Sequence, residues 1–294
     1  MELKTPLNLA LSYDEEISCV GVRSLSDMLD SALVKPLMCI VGEPTSMRVT
    51  TGHKGKTAVE ATRIGAEAHS AFSPTAVNAI HLACDLIAGI RTIQNWLVAN
   101  GTQDHAYDVP FTTLHAGLIN GGAALNIVPN TGFEKFEIRN LPTDDPDAIL
   151  AQLKASLEAV IATARERSPQ ADIILEITNL YPGLDTALEQ DVVGLVTSLT
   201  VGNGRIKVAF GTEGGLFWRD LDIPTVVCGP GFMDQGHKPD EFVSLDQLAS
   251  CDAMLAALST RLAAGLCPAF LQGAGASRRL ELHSSARPKG PARG

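Results

Sequence analysis

Positive charge is scarce in this chain: 23 lysines and arginines stand against 33 aspartates and glutamates, a formal net charge of -10 over 294 residues. What basic charge there is gathers at the end. From Pro268 onward Arg278, Arg279, Arg287, Lys289 and Arg293 face only Glu281, a local +4 that leaves -14 on the body. An acidic body repels phosphate backbones, which argues against nucleic acid as the partner. No apolar run approaches the ~20 residues a membrane helix needs. The opening Met1-Glu2-Leu3-Lys4-Thr5-Pro6 has no basic stretch leading into an apolar one, as a secretory signal would. The expected location is therefore the cytoplasm, with no membrane contact. Six cysteines, at 19, 39, 84, 228, 251 and 267, form no C-x-x-C pair. They are expected to be reduced and to fill space as small buried hydrophobes. G-x-S-x-G, H-E-x-x-H and Walker-type loops are also missing, which removes support for serine hydrolase, zincin and P-loop chemistry.

What is present is a series of short apolar runs, each followed by turn residues: Leu7 to Tyr13, Leu37 to Val41, Ile206 to Phe210 and Pro224 to Cys228. They read as strands of an α/β sheet. Each is followed by polar chemistry on a loop: Asp14-Glu15-Glu16, then Glu43, then Thr212 and Glu213, then His237. In open α/β sheets ligands bind beyond the carboxyl ends of strands, so these four loops are candidates to share one site.

Between about Arg48 and Arg165 the pattern changes to β-β-α-β-β-α. Its first helix is expected from Thr75 to about Ala99. Its second opens with Asp144 or Asp145 as N-cap and Pro146 in the first turn, with Ile149, Leu153, Leu157, Val160 and Ile161 as its apolar stripe. The expected division is 1–47 for a first piece of a catalytic domain, 48–167 for an insertion, 168–266 for the second piece and 267–294 for a disordered basic tail. The last helix is expected from Leu245 to Ala264. His53, His81, His105 and His115 are placed in or on the insertion.

Clustered carboxylates raise one another's pKa or require a cation, and adjacent ones can divide the work of metal ligation and proton transfer. A dinuclear zinc hydrolase uses such groups together with imidazole. Glu16 and His237 fit one metal, Glu43 another, and Glu15 the base.

At this point the motifs resemble a family. Asp14-Glu15-Glu16, Gly42-Glu43-Pro44-Thr45, Ala68-His69-Ser70, Asn126-Ile127-Val128-Pro129 and Gly236-His237 occur in the order found in the zinc-dependent deacylases and peptidases grouped with acetylornithine deacetylase, succinyl-diaminopimelate desuccinylase and glutamate carboxypeptidase. Within the group, His53-Lys54-Gly55, the run from Phe136 to Pro142 and Gly211-Thr212-Glu213 look most like the acetylornithine deacetylases. The resemblance implies a discontinuous catalytic sheet domain interrupted by a dimerisation domain. It implies Glu15 as general base, and Glu16, Glu43 and His237 as ligands of two Zn2+ (or Co2+) ions. It makes His69 an oxyanion donor that reaches the partner subunit's site. Asn126 and Arg139 would bind the substrate carboxylate or oxyanion, and Glu213, with Thr212 beside it, would contact substrate. The implied substrate is a small N-acyl amino acid, and the implied assembly a homodimer.

The family pattern also includes an earlier His-x-Asp strand and a bridging aspartate, neither of which occurs in this sequence. The expectation is an amino-terminally truncated hydrolase with an incomplete metal site. The alternatives are a catalytically inactive dimerising protein and a related aminoacylase or peptidase.

Overall fold

The structure is a computed structural model that describes residues 2–16, 19–200, 204–236 and 238–266. His237 and the 267–294 tail lie outside the described residues. In chain order the elements are α1 (Val22–Asp30), β1 (Cys39–Pro44), β2 (Val49–His53), β3 (Lys56–Ile64), a 3-10 turn (Ser70–Thr75), α2 (Ala79–Asn100), β4 (Thr113–Gly121), β5 (Thr131–Arg139), α3 (Pro146–Arg165), β6 (Asp172–Tyr181), β7 (Leu184–Asp185), α4 (Asp191–Leu199), β8 (Arg205–Val208), α5 (Gly214–Leu221), β9 (Thr225–Gly229) and α6 (Leu245–Ala264).

Two sheets divide these strands. The first is five-stranded, in the order β1-β9-β2-β7 with β8 on β2; the second is four-stranded, in the order β4-β5-β3-β6. The chain passes from the first to the second between His53 and Lys56 and returns between Tyr181 and Leu184. The second sheet with its helices therefore reads β-α-β-β-α-β, with β2 in the first sheet and β6 in the second. The sequence pattern had placed these changes near 48 and 168. His53 accordingly belongs to the first sheet and not to the insertion.

Helix α3 starts where local chemistry dictates, because the Asp145 side chain accepts from the Asp147 amide and Pro146 occupies the first turn. Helix α2 begins at Ala79, after the 3-10 turn, because the Asn78 side chain caps it by accepting from the Ile80 amide. Both helices lay apolar stripes on the second sheet. Leu82, Leu86, Ile90, Ile149, Leu153 and Leu157 meet Val59, Phe136 and Ile138 there in one core. Leu153 is fully buried, so Leu153→Ala is expected to cost about 3 kcal/mol, read as a lower urea midpoint at unchanged m-value. A smaller core beneath the first sheet joins Val49, Val192, Val193, Val196 and Val226.

The expected strand from Leu7 to Tyr13 is not formed. The segment is irregular, with Leu9 84% and Leu11 83% exposed. Alternation makes a strand only when a neighbour supplies backbone partners, and among the described residues nothing pairs with this stretch. Of the five described cysteines, all are free, as expected. Cys84 is exposed, whereas Cys19 and Cys228 are buried.

Candidate active site

The first sheet is mixed. β1 runs parallel to β9, β2 antiparallel to β9, and β8 parallel to β2. The loops after β1 and β8 therefore leave opposite ends of the sheet, and the strand-end rule for parallel sheets does not by itself gather the site. The second sheet contributes instead. Because β3 is antiparallel to both β5 and β6, its first residue Lys56 and their last residues Arg139 and Tyr181 lie at one end.

These groups meet in a cavity of about 180 Å³. Glu15, Glu16 and Cys19 enter it from the segment before α1, Glu43 from β1, Lys56, Arg139 and Tyr181 from the second sheet, and Gly211 from the loop after β8. The turn carrying the paired glutamates is tight. Asp14 sits at φ 56°, the Val20 amide returns to the Asp14 carbonyl at 3.2 Å, and the Cys19 amide to the Glu15 carbonyl at 2.8 Å. Gly21 is required beneath it, since a Cβ there would stand 2.0 Å from the Tyr13 carbonyl oxygen.

The Cys19 thiol donates to Glu15 Oε1 at 3.5 Å. Burial, reinforced by the Glu15 charge, pushes the thiol far above its ordinary range, so it stays protonated and unreactive. Arg139 is held on two sides. Its Nε and Nη2 donate to Glu137 at 2.9 and 3.3 Å, and its Nη1 donates to the Tyr181 hydroxyl at 3.1 Å. Lys56 Nζ lies 3.7 Å from Glu137.

Other residues singled out in the sequence do not reach the cavity. Thr212 is fully buried, and its hydroxyl accepts from the Gly214 amide at 3.0 Å. Glu213 is buried beside it and accepts from the Ser12 hydroxyl at 2.9 Å; burial first, then the Glu15 charge, raises its pKa. His69 and Asn126 are exposed in the second sheet's loops, next to each other through a bridge between His69 and Ile127 and a bond from the Ser70 amide to the Asn126 carbonyl. His69 Nδ1 also caps the 3-10 turn by accepting from the Ala71 amide.

Sequence reasoning passed over His53. Its Nε2 accepts from the Gly215 amide at 3.1 Å while Nδ1 bonds the Lys54 carbonyl at 3.0 Å. That pairing fixes the neutral tautomer with the proton on Nδ1. Burial pushes its pKa down to about 4. The ring ties β2 to the first turn of α5, and the signal for it was the His-Lys-Gly run itself.

The pattern of the M20 peptidase dimerisation domain matches residues 51–164. The chain is 29% identical over 255 residues to the acetylornithine deacetylase of Myxococcus xanthus, covering 87% of this chain and 64% of that protein. Residues 51–164 of the chain thus carry a peptidase dimerisation domain. It is 33% identical over 242 residues to the acetylornithine deacetylase of Salmonella arizonae, covering 82% of this chain and 60% of that one. The chain thus spans under two thirds of the length of these relatives. Its fold is shared with aminopeptidase PepT of Bacillus cereus, with a TM-score of 0.64 at 21% identity over 86% of this chain and 63% of that one. It is shared also with human carnosine dipeptidase 1, with a TM-score of 0.62 at 14% identity over 85% and 65% of the respective chains.

Zinc sites take three or four protein ligands, of carboxylate, imidazole or thiolate type. Glu16 and Glu43 are of the right type and share the cavity. Among the described residues, however, no group of three or more His, Cys, Asp or Glu side chains is arranged to hold a metal. The described residues therefore do not make a zinc centre on their own.

Proposed function

We propose that this chain is a hydrolase of the amide bond of N-acyl amino acids, of the acetylornithine deacetylase type, working as a homodimer. The observation that carries this reading is the meeting of Glu15, Glu16 and Glu43, drawn from two separate segments, with Arg139 and Lys56 in one cavity. A carboxylate such as Glu15 supplies proton transfer, and cations beside it supply attraction for an anionic substrate. Zinc is the group the resemblance implies, with Glu16, Glu43 and His237 as its proposed ligands. The described residues on their own fall short of a complete ligand set. The 33% identity to an acetylornithine deacetylase supports the choice of substrate class.

The test is acetate release from N-acetyl-L-ornithine by the purified chain with added zinc. Activity abolished by Glu15→Gln supports the reading, while transfer of activity to dipeptides and not acyl amino acids would move it toward a peptidase.

A second reading is favoured by the absence of a three-ligand metal group among the described residues: a dimerising protein that does not hydrolyse. Native mass spectrometry and metal analysis separate the two. A metal-free dimer with no acetate release establishes the second reading.

A further inference from the structure

Arg139 is the cavity's obvious anion receptor, yet its geometry points elsewhere. Its side-on fork, Nε with Nη2, is already filled by the Glu137 carboxylate, and its remaining terminal nitrogen bonds the Tyr181 oxygen. In the last bond the guanidinium donates, so the phenol oxygen is the acceptor and its own O–H is left to donate to another partner at the cavity that Tyr181 lines. A phenol accepting from a cation is polarised and becomes a stronger donor.

Tyr181 is also held in place by shape. Its ring sits where a side chain on residue 211 would be: a Cβ on Gly211 would lie 2.2 Å from its Cε2 and 2.4 Å from its hydroxyl. Only glycine leaves that room. Tyr181 is 6% exposed, and burial pushes its pKa up to about 12, so the donor keeps its proton at physiological pH. Its register partner across the sheet is Lys56, the cation that also lines the cavity.

We infer that the Tyr181 hydroxyl, with Lys56 beside it, is the donor that recognises the carboxylate of the ligand, and that Arg139 is a positioning residue that holds Tyr181 through its Nη1. The inference rests on the proposed N-acyl amino acid reading and deepens it: the ligand must carry a free carboxylate next to the acylated amine.

Binding tests it without requiring turnover. Calorimetric titration of the full chain with N-acetyl-L-ornithine and with its carboxamide should give tighter binding of the acid, about tenfold for one hydrogen bond to a charged group. Tyr181→Phe keeps the ring against Gly211 and should bring the two ligands to nearly equal affinity. Gly211→Ala, which displaces the ring, and Arg139→Met, which releases the hydroxyl, should both reduce the same ratio. An acid-to-amide ratio in Tyr181→Phe equal to that of the unmodified chain overturns the inference, as does failure of the unmodified chain to prefer the acid or to bind either ligand at millimolar concentration. Acid-selective binding without acetate release would instead sink the hydrolase reading and leave the carboxylate site standing.

Discussion

Mixing two inactive variants, Glu15→Gln and His69→Ala, is expected to restore acetate release that neither supports alone. Glu15 lines the cavity, whereas His69 is exposed in a loop of the second sheet and does not line it. If both take part in one reaction, His69 acts on the cavity of the other subunit of a two-fold dimer. Loss of a general base costs about 10²–10⁴-fold in rate. Loss of one oxyanion donor costs about 10²–10³-fold. After the two variants are unfolded together and refolded, about half the dimers carry one of each. Every such dimer has one site with both groups intact, so recovery of about a quarter of the unmodified activity follows from the symmetry. Asn126, packed beside His69, should complement Glu15→Gln in the same way. If the mixture stays as inactive as its components, His69 has no role in the partner's site.

Glu134→Gln is expected to change how stability depends on pH, by about 3 kcal/mol between pH 5 and pH 8. Glu134 lies on the helix-covered face of β5, fully buried, and neither carboxylate oxygen has a hydrogen-bond partner. Arg63 is buried on the same face but spends its Nη2 on the Asn120 and Phe133 carbonyls, at 2.5 and 2.6 Å. It offers Glu134 charge without contact. Burial outweighs that attraction and pushes the Glu134 pKa up from 4.5 to about 7.

The sign follows from linkage. The folded chain keeps this proton up to about pH 7 while the unfolded chain gives it up near 4.5, so the stability that Glu134 contributes is greatest below 4.5 and is lost as pH rises through 7. At 1.36 kcal/mol for each pH unit between the two values, the loss comes to about 3 kcal/mol. Urea unfolding of both proteins at pH 5 and pH 8 measures it. The unmodified chain should lose that much relative to the variant, and parallel losses in the two would show that Glu134 ionises freely in the fold.

The same two regions show how far the sequence could be read. Helix α6 runs from Leu245 to Ala264, as its pattern indicates, and α3 begins at the Asp145-Pro146 cap. Caps and periodic stripes act within a turn or two of chain, so the sequence displays them directly. The paired glutamates and Glu43 were legible as chemistry because carboxylates beside turn residues stand out locally, and the structure does bring them to one cavity. Leu7 to Tyr13 failed as a strand because alternation describes one side of a pairing and says nothing of whether a neighbour exists. Thr212 and Glu213 looked like site residues but are buried, accepting from the Gly214 amide and the Ser12 hydroxyl, and the bond of His53 to Gly215 was not visible until β2 and α5 were seen together.

Residue type and order alone thus determined the start of α3 and the extent of α6, and marked the paired glutamates and Glu43 as candidates, since each depends on neighbours within a few positions; the start of α2, expected at Thr75, lies at the Asn78 cap instead. Tertiary structure decided the rest. It made Lys56 and Tyr181 partners by antiparallel register, filled the fork of Arg139 with Glu137, and seated Tyr181 in the space of a missing Gly211 side chain. Which donor faces the cavity is settled by how strands far apart in the chain align and by who already occupies each hydrogen bond, and neither quantity is local.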